Sequence, residues 1–196
     1  MQINNHFAIG LILASITHYY FEFTLLEFSM ICIFSFLCDF DVIFTKYARD
    51  LNHRNLFTHS IIPSIFIIIV GALITWPALT ISGVSYFLHI MVDTFDWGTN
   101  LFYFGHYNIG LRLLITKEEQ ENLEIYLDQY KNRASFFDFK RYKNKLWILL
   151  SIIIFILMMI VVSIYALEYF YLLIFYFIGL AFHLQRHFHL KKIENS

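Results

Sequence analysis

Two long stretches without any charged residue restrict the fold of this chain more than any other feature. Residues 61–79 and 146–167 are apolar almost throughout and contain no Asp, Glu, Lys or Arg. A helix needs roughly 20 such residues to cross a hydrocarbon core of about 30 Å. The sequence therefore predicts membrane-spanning helices.

The composition of the whole chain also indicates a membrane protein. Of the 196 residues, 59% are hydrophobic and 15% are charged, whereas soluble domains average about 45–50% and about 25%. This hydrophobic content excludes intrinsic disorder, and two cysteines are too few for a disulfide-stapled module. The formal net charge of −1 lacks the excess of positive charge that is typical of nucleic-acid-binding proteins. We therefore expect membrane lipid as the surroundings and no nucleic-acid partner.

Four further segments are apolar enough to form helices, although three of them are short or contain polar residues. They are residues 7–20, 23–38, 81–95 and 170–183. The three weaker segments are expected to be shallow or tilted helices that their neighbours shield from lipid. The fold class is therefore predicted as all-α, a polytopic membrane bundle of about six helices with a short additional cytoplasmic helix.

The basic residues predict how these helices are arranged. All 14 Lys and Arg fall within residues 46–54, 112–145 and 186–192, and the other three connections contain none. Six helices drawn as three hairpins place every basic residue on one face, which the positive-inside rule assigns to the cytoplasm. Both termini are then expected on the cytoplasmic side of the membrane.

We expect one integral membrane domain over residues 1–196. Its parts are a core with the candidate site (1–105), a cytoplasmic or interfacial segment (106–145), and a C-terminal helical hairpin with a basic tail (146–196). In the middle part, Thr116 and Glu119 have the spacing of a capping box. This motif predicts a short helix that continues to about residue 131.

Ionisable residues at membrane depth are costly, and by default they mark function. The predicted topology brings seven such residues to the cytoplasmic face, and they are interpreted as metal ligands: His6, Asp39, Asp41, His53, His59, His89 and Asp93. Asp96 adds one more acid on the same face. Because the topology was chosen from Lys and Arg alone, this gathering is an independent argument for a site.

The spacing of the ligands agrees with this interpretation. His89 and Asp93 are four residues apart and Asp96 follows three later, so all three share one stripe of a helix. Asp39 and Asp41 are two apart, and in an extended turn their carboxylates point the same way. Histidine and carboxylate together suit Zn, Mn or Fe, and the number of ligands allows two ions.

Four motifs follow one another along residues 4–105. They are His6-x3-Gly10, Asp39-x-Asp41, His53-Arg54-x3-Thr58-His59-Ser60 and His89-x3-Asp93-Thr94. Together they resemble the inner-membrane metal-dependent hydrolase family, described as LexA-binding, inner-membrane-associated hydrolases. The resemblance implies a bacterial inner-membrane location, metal-dependent hydrolysis and a LexA-type protein partner. The family often has Pro where this chain has Cys38 and His where it has Val42.

The order of the ligands is also similar to that of zinc-dependent phospholipase C proteins, which hydrolyse phosphodiesters. This second resemblance points to a phosphate ester, and the interfacial location points to an amphiphilic, lipid-like substrate. The leading hypothesis is a hydrolase with one or two divalent ions, Zn first and Mn or Fe as alternatives. The metal would lower the pKa of a bound water to about 7.

Other residues of the motifs receive catalytic or supporting roles. Asp41 or Asp96 is assigned as the general base. The planar guanidinium of Arg54 is assigned to a phosphate or a developing oxyanion, because its geometry suits such oxygens. Thr58 and Ser60 are assigned to orient the neighbouring histidine ligand.

Residues outside the motifs receive structural roles. Cys32 and Cys38 are interpreted as small buried hydrophobes. The run His183, His187 and His189 fits the basic end of an interfacial helix better than a second metal site.

Three other functions compete with hydrolysis. A non-enzymatic membrane protein would use the cluster as a structural metal site, closed rather than open, and would dock a cytoplasmic partner. A di-iron lipid oxidase or desaturase would carry more histidines and HxxHH boxes, which this sequence lacks. A transporter would place its carboxylates at the bilayer midplane rather than at one interface.

Overall fold

The computed structural model describes residues 2–48, 52–104 and 109–196. The helices are α1 (Ile3–Phe21), α2 (Leu25–Phe34), α3 (Ile61–Leu73), α4 (Pro77–Asp96), α5 (Lys117–Glu121), α6 (Leu123–Leu127), α7 (Arg133–Lys143), α8 (Lys145–Tyr165) and α9 (Leu173–Asn195). Segments of 3-10 helix lie at Leu37–Tyr47, His53–Asn55, Phe57–His59 and Leu167–Leu172. Within the described ranges, extended backbone pairs only at an isolated bridge between Thr99 and Ile109. The all-α prediction is confirmed.

Each of the six predicted apolar segments contains helix, but the helices differ in their capacity to cross a membrane. By length and composition, three helices of the described chain can do so: α4, α8, and α9 together with the 3-10 segment before it. A fourth span results if α2 and Leu37–Tyr47 are counted together, although they are bent by 41° at their junction. The 13 residues of α3 cover only about 20 Å at 1.5 Å each, which is short of a hydrocarbon core.

The apolar run at residues 61–79 is divided between two helices, whereas its composition predicts one. The helix α3 ends at Leu73, and Thr75 has a positive φ of 54°. Pro77 then occupies the first turn of α4, where its fixed φ and missing N–H are tolerated. Because the turn itself is apolar, a hydropathy pattern does not reveal it.

The helix α1 occupies the centre of the bundle, where it packs against α2, α4, α8 and α9. Its apolar side chains, including Leu11 and Ala14, form one core with residues such as Phe28 of α2 and Met158 of α8. Gly10 allows α2 to approach closely, since a Cβ at this position would lie 2.5 Å from Ser35 Oγ. This packing brings the ligand-bearing helices together.

The N-terminal end of α1 lies beside α7 and the second half of α9. The side-chain amide of Gln2 donates to the hydroxyl of Tyr142 at 3.1 Å, and the backbone N–H of Ile3 donates to Nε2 of His183 at 3.3 Å. Arg141 Nη2 of α7 lies 3.7 Å from Asp96 Oδ2 at the end of α4. The helix α7 therefore covers the end of the bundle that carries the candidate ligands.

The predicted capping box is present at the start of the middle segment. Glu119 N–H donates to the Thr116 hydroxyl at 3.2 Å, and the Glu119 carboxylate accepts from Thr116 N–H at 2.9 Å. The helix that follows is shorter than expected. It is interrupted at Asn122, so that α5 and α6 have five residues each and the helical region ends at Leu127.

Candidate metal centre

The structure gathers the histidines and carboxylates of four separate chain segments around Asp93. Asp93 Oδ1 lies 3.2 Å from His6 Nε2, and Asp93 Oδ2 lies 3.0 Å from His59 Nε2. His89 Nε2 lies 3.7 Å from Asp93 Oδ2 and 3.5 Å from Asp39 Oδ1. One ligand atom from each of His6, Asp39, His89 and Asp93 falls within 4.8 Å of the others.

Helix packing fixes the positions of the two helical histidines. The rings of His6 on α1 and His89 on α4 are stacked, with centroids 3.7 Å apart and planes at 24°. Both side chains are buried, as is Asp93 one turn further along α4. The i, i+4 spacing predicted for His89 and Asp93 thus places both groups on the buried face of α4.

The orientation of the His89 ring depends on the end of α2. The Nδ1–H of His89 donates to the backbone carbonyl of Ser35 at 2.7 Å. That carbonyl can accept it because the chain changes to 3-10 geometry here: the N–H of Asp39 bonds to the carbonyl of Phe36 instead, at 3.0 Å. A proton on Nδ1 leaves the lone pair of the neutral ring on Nε2.

The facing ligand atoms form a donor set of a kind that could hold a cation. The lone pair of His89 Nε2 faces carboxylate oxygens of Asp39 and Asp93, which are acceptors as well. His6 Nε2 and His89 Nε2 are buried without a hydrogen-bond partner in the described chain, although both lie close to carboxylates. Facing acceptors repel one another unless a positive charge lies between them, so this donor set suits a divalent ion.

His59 connects the candidate ligands to Asp41. Its Nδ1 lies 3.1 Å from Asp41 Oδ2, and its Nε2 faces Asp93 as described above. Burial opposes the charged form of His59, but its hydrogen bonds to Asp41 and Asp93 outweigh burial and raise its pKa to about 9. The hydroxyl of Thr58 donates to the same oxygen of Asp41 at 2.8 Å.

A second group of candidate ligands shares Asp39 with the first. Ligand atoms of Asp39, His53 and His59 also lie within 4.8 Å of one another. Burial, together with the positive charges of His59 and Arg54, lowers the pKa of His53 to about 4, so its ring is neutral. A shared carboxylate between two such groups is compatible with two ions.

Arg54 is occupied by carboxylates in the structure. Its Nη1 donates to Asp96 Oδ1 at 2.5 Å, while its Nη2 lies 3.1 Å from Asp96 Oδ2 and 3.0 Å from Asp93 Oδ2. The roles predicted from the sequence were a phosphate clamp for Arg54 and a general base for Asp96. The geometry instead pairs the two residues with each other, and Arg54 holds the carboxylate of Asp93 in place.

Ser60 is adjacent to His59 in sequence but is directed elsewhere. Its hydroxyl donates to the carbonyl of Phe57 at 2.7 Å and accepts from the N–H of Ile62 at 3.3 Å. It therefore caps α3 rather than orienting the imidazole. Val42, where the resembled family often has His, is 54% exposed and does not belong to the buried cluster.

Sequence reasoning assigned Cys38 only a packing role, which its burial confirms. The structure also brings its sulfur within 4.8 Å of ligand nitrogens of His59 and His89. The carbonyl of Ser35 was missed as well, because a backbone acceptor has no signature in sequence. Arg141 was missed because it lies more than forty residues from the nearest ligand in sequence.

The carboxylates of the cluster outnumber its guanidinium groups. Its carboxylates and guanidinium groups are those of Asp39, Asp41, Asp93 and Asp96, and of Arg54 and Arg141. Four negative charges face two positive ones, and a proton on His59, whose pKa is raised, adds a third positive charge; further histidine protons or a divalent ion can offset the remainder. Uncompensated charge of this kind is costly in a buried site.

Fold and site together define an all-α membrane protein with a buried histidine–carboxylate cluster at one end of its bundle. The model of the YdjM inner membrane protein family matches residues 1–170. The chain belongs to this family. No curated protein and no solved structure matches it. The family description places the chain in the inner membrane and names no reaction.

Proposed function

We propose that this chain is a metal-dependent hydrolase that acts on an amphiphilic phosphate ester at the cytoplasmic face of the inner membrane. One observation carries the proposal. The lone pair of His89 Nε2 faces the carboxylates of Asp39 and Asp93. A bound cation would stabilise this arrangement, whereas these acceptors repel one another when no positive charge lies between them.

The ion is assigned to two nitrogens and two oxygens. His6 and His89 supply the nitrogens, and Asp39 and Asp93 supply the oxygens. Zn fits this mixture first, and Mn or Fe are the alternatives. Asp39, His53 and His59 form the candidate second position, where His59 would bind an ion only after losing its proton and its contact with Asp41 or Asp93.

A divalent ion in this position would polarise a phosphate ester and supply a nucleophilic water near neutral pH. The residues of the chain then have distinct tasks. Asp41 is the proposed proton acceptor, since its Oδ2 is held by Thr58 and His59 while its Oδ1 has no partner in the described chain. Arg54 is a positioning residue, because it fixes Asp93 and is not free for substrate.

An apolar groove beside the cluster supports an amphiphilic substrate. It has a volume of about 470 Å³ and lies between α1, α2 and the start of α9. Its lining includes Asn4, two residues before His6, and Phe36, three residues before Asp39. Asp39 is the ligand with the most exposed side chain of the four, at 20%. An acyl chain in the groove would therefore bring a headgroup towards the Asp39 side of the site.

The proposed orientation places both termini in the cytoplasm. The contacts of Gln2 with Tyr142 and of Ile3 with His183 hold the start of α1 at the same end as the basic residues of α7 and α9. The positive-inside rule assigns that end to the cytoplasm. A cysteine on a short extension of either terminus should react with a membrane-impermeant maleimide in sealed inverted vesicles, with wild type, whose Cys32 and Cys38 are buried, as the control; protection of either added cysteine would contradict the orientation.

The test of the function is metal content and hydrolysis in the purified full chain. Wild type, His6→Ala and Asp39→Asn are loaded with Zn, Mn or Fe and dialysed, and bound metal is measured by elemental analysis. Hydrolysis is measured with phosphatidylglycerol in mixed micelles and with bis(p-nitrophenyl) phosphate. We expect wild type to retain metal and to hydrolyse one of these esters, and both variants to lose both properties.

His18→Ala is the matched control, since His18 lies on the same helix but pairs with Glu168 at the opposite end. It should retain metal and activity. A wild-type chain that binds none of the three metals contradicts the proposal, and so does hydrolysis that persists in Asp39→Asn.

A structural metal site is the second candidate function, and burial favours it. His6, His89 and Asp93 are each at most 1% exposed, as in a closed site. In that case the cytoplasmic surface of α5, α6 and α7 would dock a protein partner, such as the LexA-type partner implied by the family resemblance. Tightly retained metal without hydrolysis of either ester would support this candidate over the enzyme.

A further inference from the structure

A basic pocket separate from the candidate metal centre lies between α7 and α9. Its volume is about 310 Å³, and its lining residues are Phe139, Tyr142, Lys143, His187, Lys191 and Asn195. Two ammonium groups, one imidazole and one carboxamide thus surround a space with an aromatic wall. This combination suits an anionic group with a small polar or apolar extension.

The wall of the basic pocket is held in place by residues of α7 and α9 and by Gln2, which precedes α1. His187 Nδ1 lies 2.5 Å from Asp138 Oδ2, and the rings of His187 and Tyr142 are 4.1 Å apart. The hydroxyl of Tyr142 in turn accepts from Gln2 at 3.1 Å. Because Nδ1 of His187 is bonded to Asp138, Nε2 is the ring nitrogen that remains for a ligand.

Acidic groups near the basic pocket are already engaged. Asp138 is paired with His187, and Glu194 accepts from the backbone N–H groups of Lys131 and Asn132 at 3.0 Å each. Lys140, one turn before the pocket, is paired with Glu119. The ammonium group of Lys143 lies 5.8 Å from the ring centre of Phe139 and not against a carboxylate. The pocket is therefore positively charged.

The position of the basic pocket along the helices matches the headgroup layer of a membrane. The helix α7 ends at Lys143, and the apolar span α8 begins two residues later at Lys145. Lys191 and Asn195 lie in the last turns of α9, beyond its apolar half. Basic pockets between membrane helices at this depth bind anionic lipid headgroups.

We propose that the basic pocket binds a phosphate group, as carried by the headgroup of an anionic phospholipid. Lys143 and Lys191 would supply the charge, and His187 and Asn195 would supply hydrogen bonds. The site is distinct from the candidate metal centre, and it does not depend on whether that centre catalyses hydrolysis.

The test is lipid binding by the detergent-solubilised full chain, with the retained lipid counted by native mass spectrometry. Phosphatidylglycerol and phosphatidylcholine are titrated against wild type and the double variant Lys143→Gln/Lys191→Gln. We expect wild type to retain phosphatidylglycerol in preference to phosphatidylcholine. The double variant should lose affinity for phosphatidylglycerol by about fivefold for each lysine, given roughly 1 kcal/mol per charge at the membrane surface.

The matched control is Lys145→Gln/Lys192→Gln, which removes the same charge from adjacent positions outside the lining. It should bind phosphatidylglycerol as wild type does, with an unchanged unfolding temperature in both double variants. Equal retention of both lipids, or an equal loss in the control variant, would overturn the proposal.

Inorganic phosphate at millimolar concentration distinguishes the two sources of the phosphate group. Displacement of bound phosphatidylglycerol at this concentration supports a site for the phosphate itself. Retention of the lipid under the same conditions supports a site for the complete headgroup.

Discussion

The helices α4 and α8 have nearly the same length, 20 and 21 residues, but they differ in how much of their surface is buried inside the protein. In α4, 44% of the most apolar stretch is buried inside the protein, against 22% in α8. The buried face of α4 carries His89, Asp93 and Asp96. By contrast, α8 has one charged residue, Lys145, at its first position.

This difference shows how the bundle tolerates ionisable groups at membrane depth. Asp93 is buried because α1 contributes His6 and the loop before α3 contributes Arg54 and His59. The outer surface of α8 has no such partners to offer and consists of residues such as Ile153 and Ile160. Apolar helices on the outside thus allow polar chemistry on the inside.

The largest effect is expected for Asp93→Asn. The change removes the carboxylate that Arg54 and His59 contact, so both would remain buried with one partner fewer. Breaking a buried pair from one side costs about 3–5 kcal/mol. The free energy of unfolding in detergent micelles measures this loss, with Ser163→Ala on the exposed side of α8 as the control. A change of less than about 0.5 kcal/mol would contradict the assignment of Asp93 as the centre of the cluster.

A charge placed on the outer face of α8 should cost almost as much. Ile160 is 50% exposed within this span, where an aspartate has no partner. Ile160→Asp should therefore raise the free energy of membrane insertion by about 2.5–3.5 kcal/mol. A translocon insertion assay measures it, and Ile160→Leu is the control. If the aspartate inserts as well as leucine, α8 does not face lipid here.

A smaller loss is expected where α1 and α2 touch. The new Cβ of Gly10→Ala would lie 2.5 Å from Ser35 Oγ and 2.6 Å from Ser35 Cβ, so the two helices must separate. Overpacking of this kind costs about 1–3 kcal/mol. The control is Gly179→Ala, whose Cβ would meet its nearest neighbour, Asn4 Cβ, at 3.2 Å. Chemical unfolding of both variants compares them, and equal losses would refute a special close contact at Gly10.

The smallest effect is expected for Ser60→Ala. The hydroxyl of Ser60 caps α3, and loss of such a cap costs about 1 kcal/mol. Metal content should not change, because this hydroxyl contacts Phe57 and Ile62 rather than the imidazole of His59. Ser60→Gly adds no volume at this buried position and should cost only a few tenths of a kcal/mol, because glycine is tolerated as an N-cap. Loss of metal in Ser60→Ala would contradict this assignment and would support the role predicted from the sequence, in which Ser60 orients the imidazole of His59.

The sequence was sufficient to predict the apolar helices and the residues that gather at one end of the bundle. Hydropathy indicates where a chain must be buried, and the basic residues indicate which ends share a face. It was not sufficient for the turn around Thr75, because nothing in the apolar composition marks that break. Within the described residues, three helices are long and apolar enough to cross a membrane, or four if the bent pair is counted as one span, rather than six.

The hydrogen-bond and ion-pair partners of individual side chains were harder to predict than the fact that these side chains lie together at one end of the bundle. The Arg54 side chain has the chemistry to hold a phosphate, and only tertiary packing shows that Asp93 and Asp96 occupy it. Whether the cluster holds metal and catalyses hydrolysis stays a prediction for the experiments above.

The end of α2 has a consequence for how related chains should be compared. His89 presents Nε2 to the carboxylates because its Nδ1–H is bonded to the carbonyl of Ser35, which lies where α2 gives way to 3-10 geometry. A relative could keep every ligand residue and still lose the centre if α2 continued without interruption through this point. Conservation of the site therefore depends partly on the backbone geometry at the end of α2, a helix that contributes no ligand. Matching the ligand motifs alone would not detect the loss of this geometry.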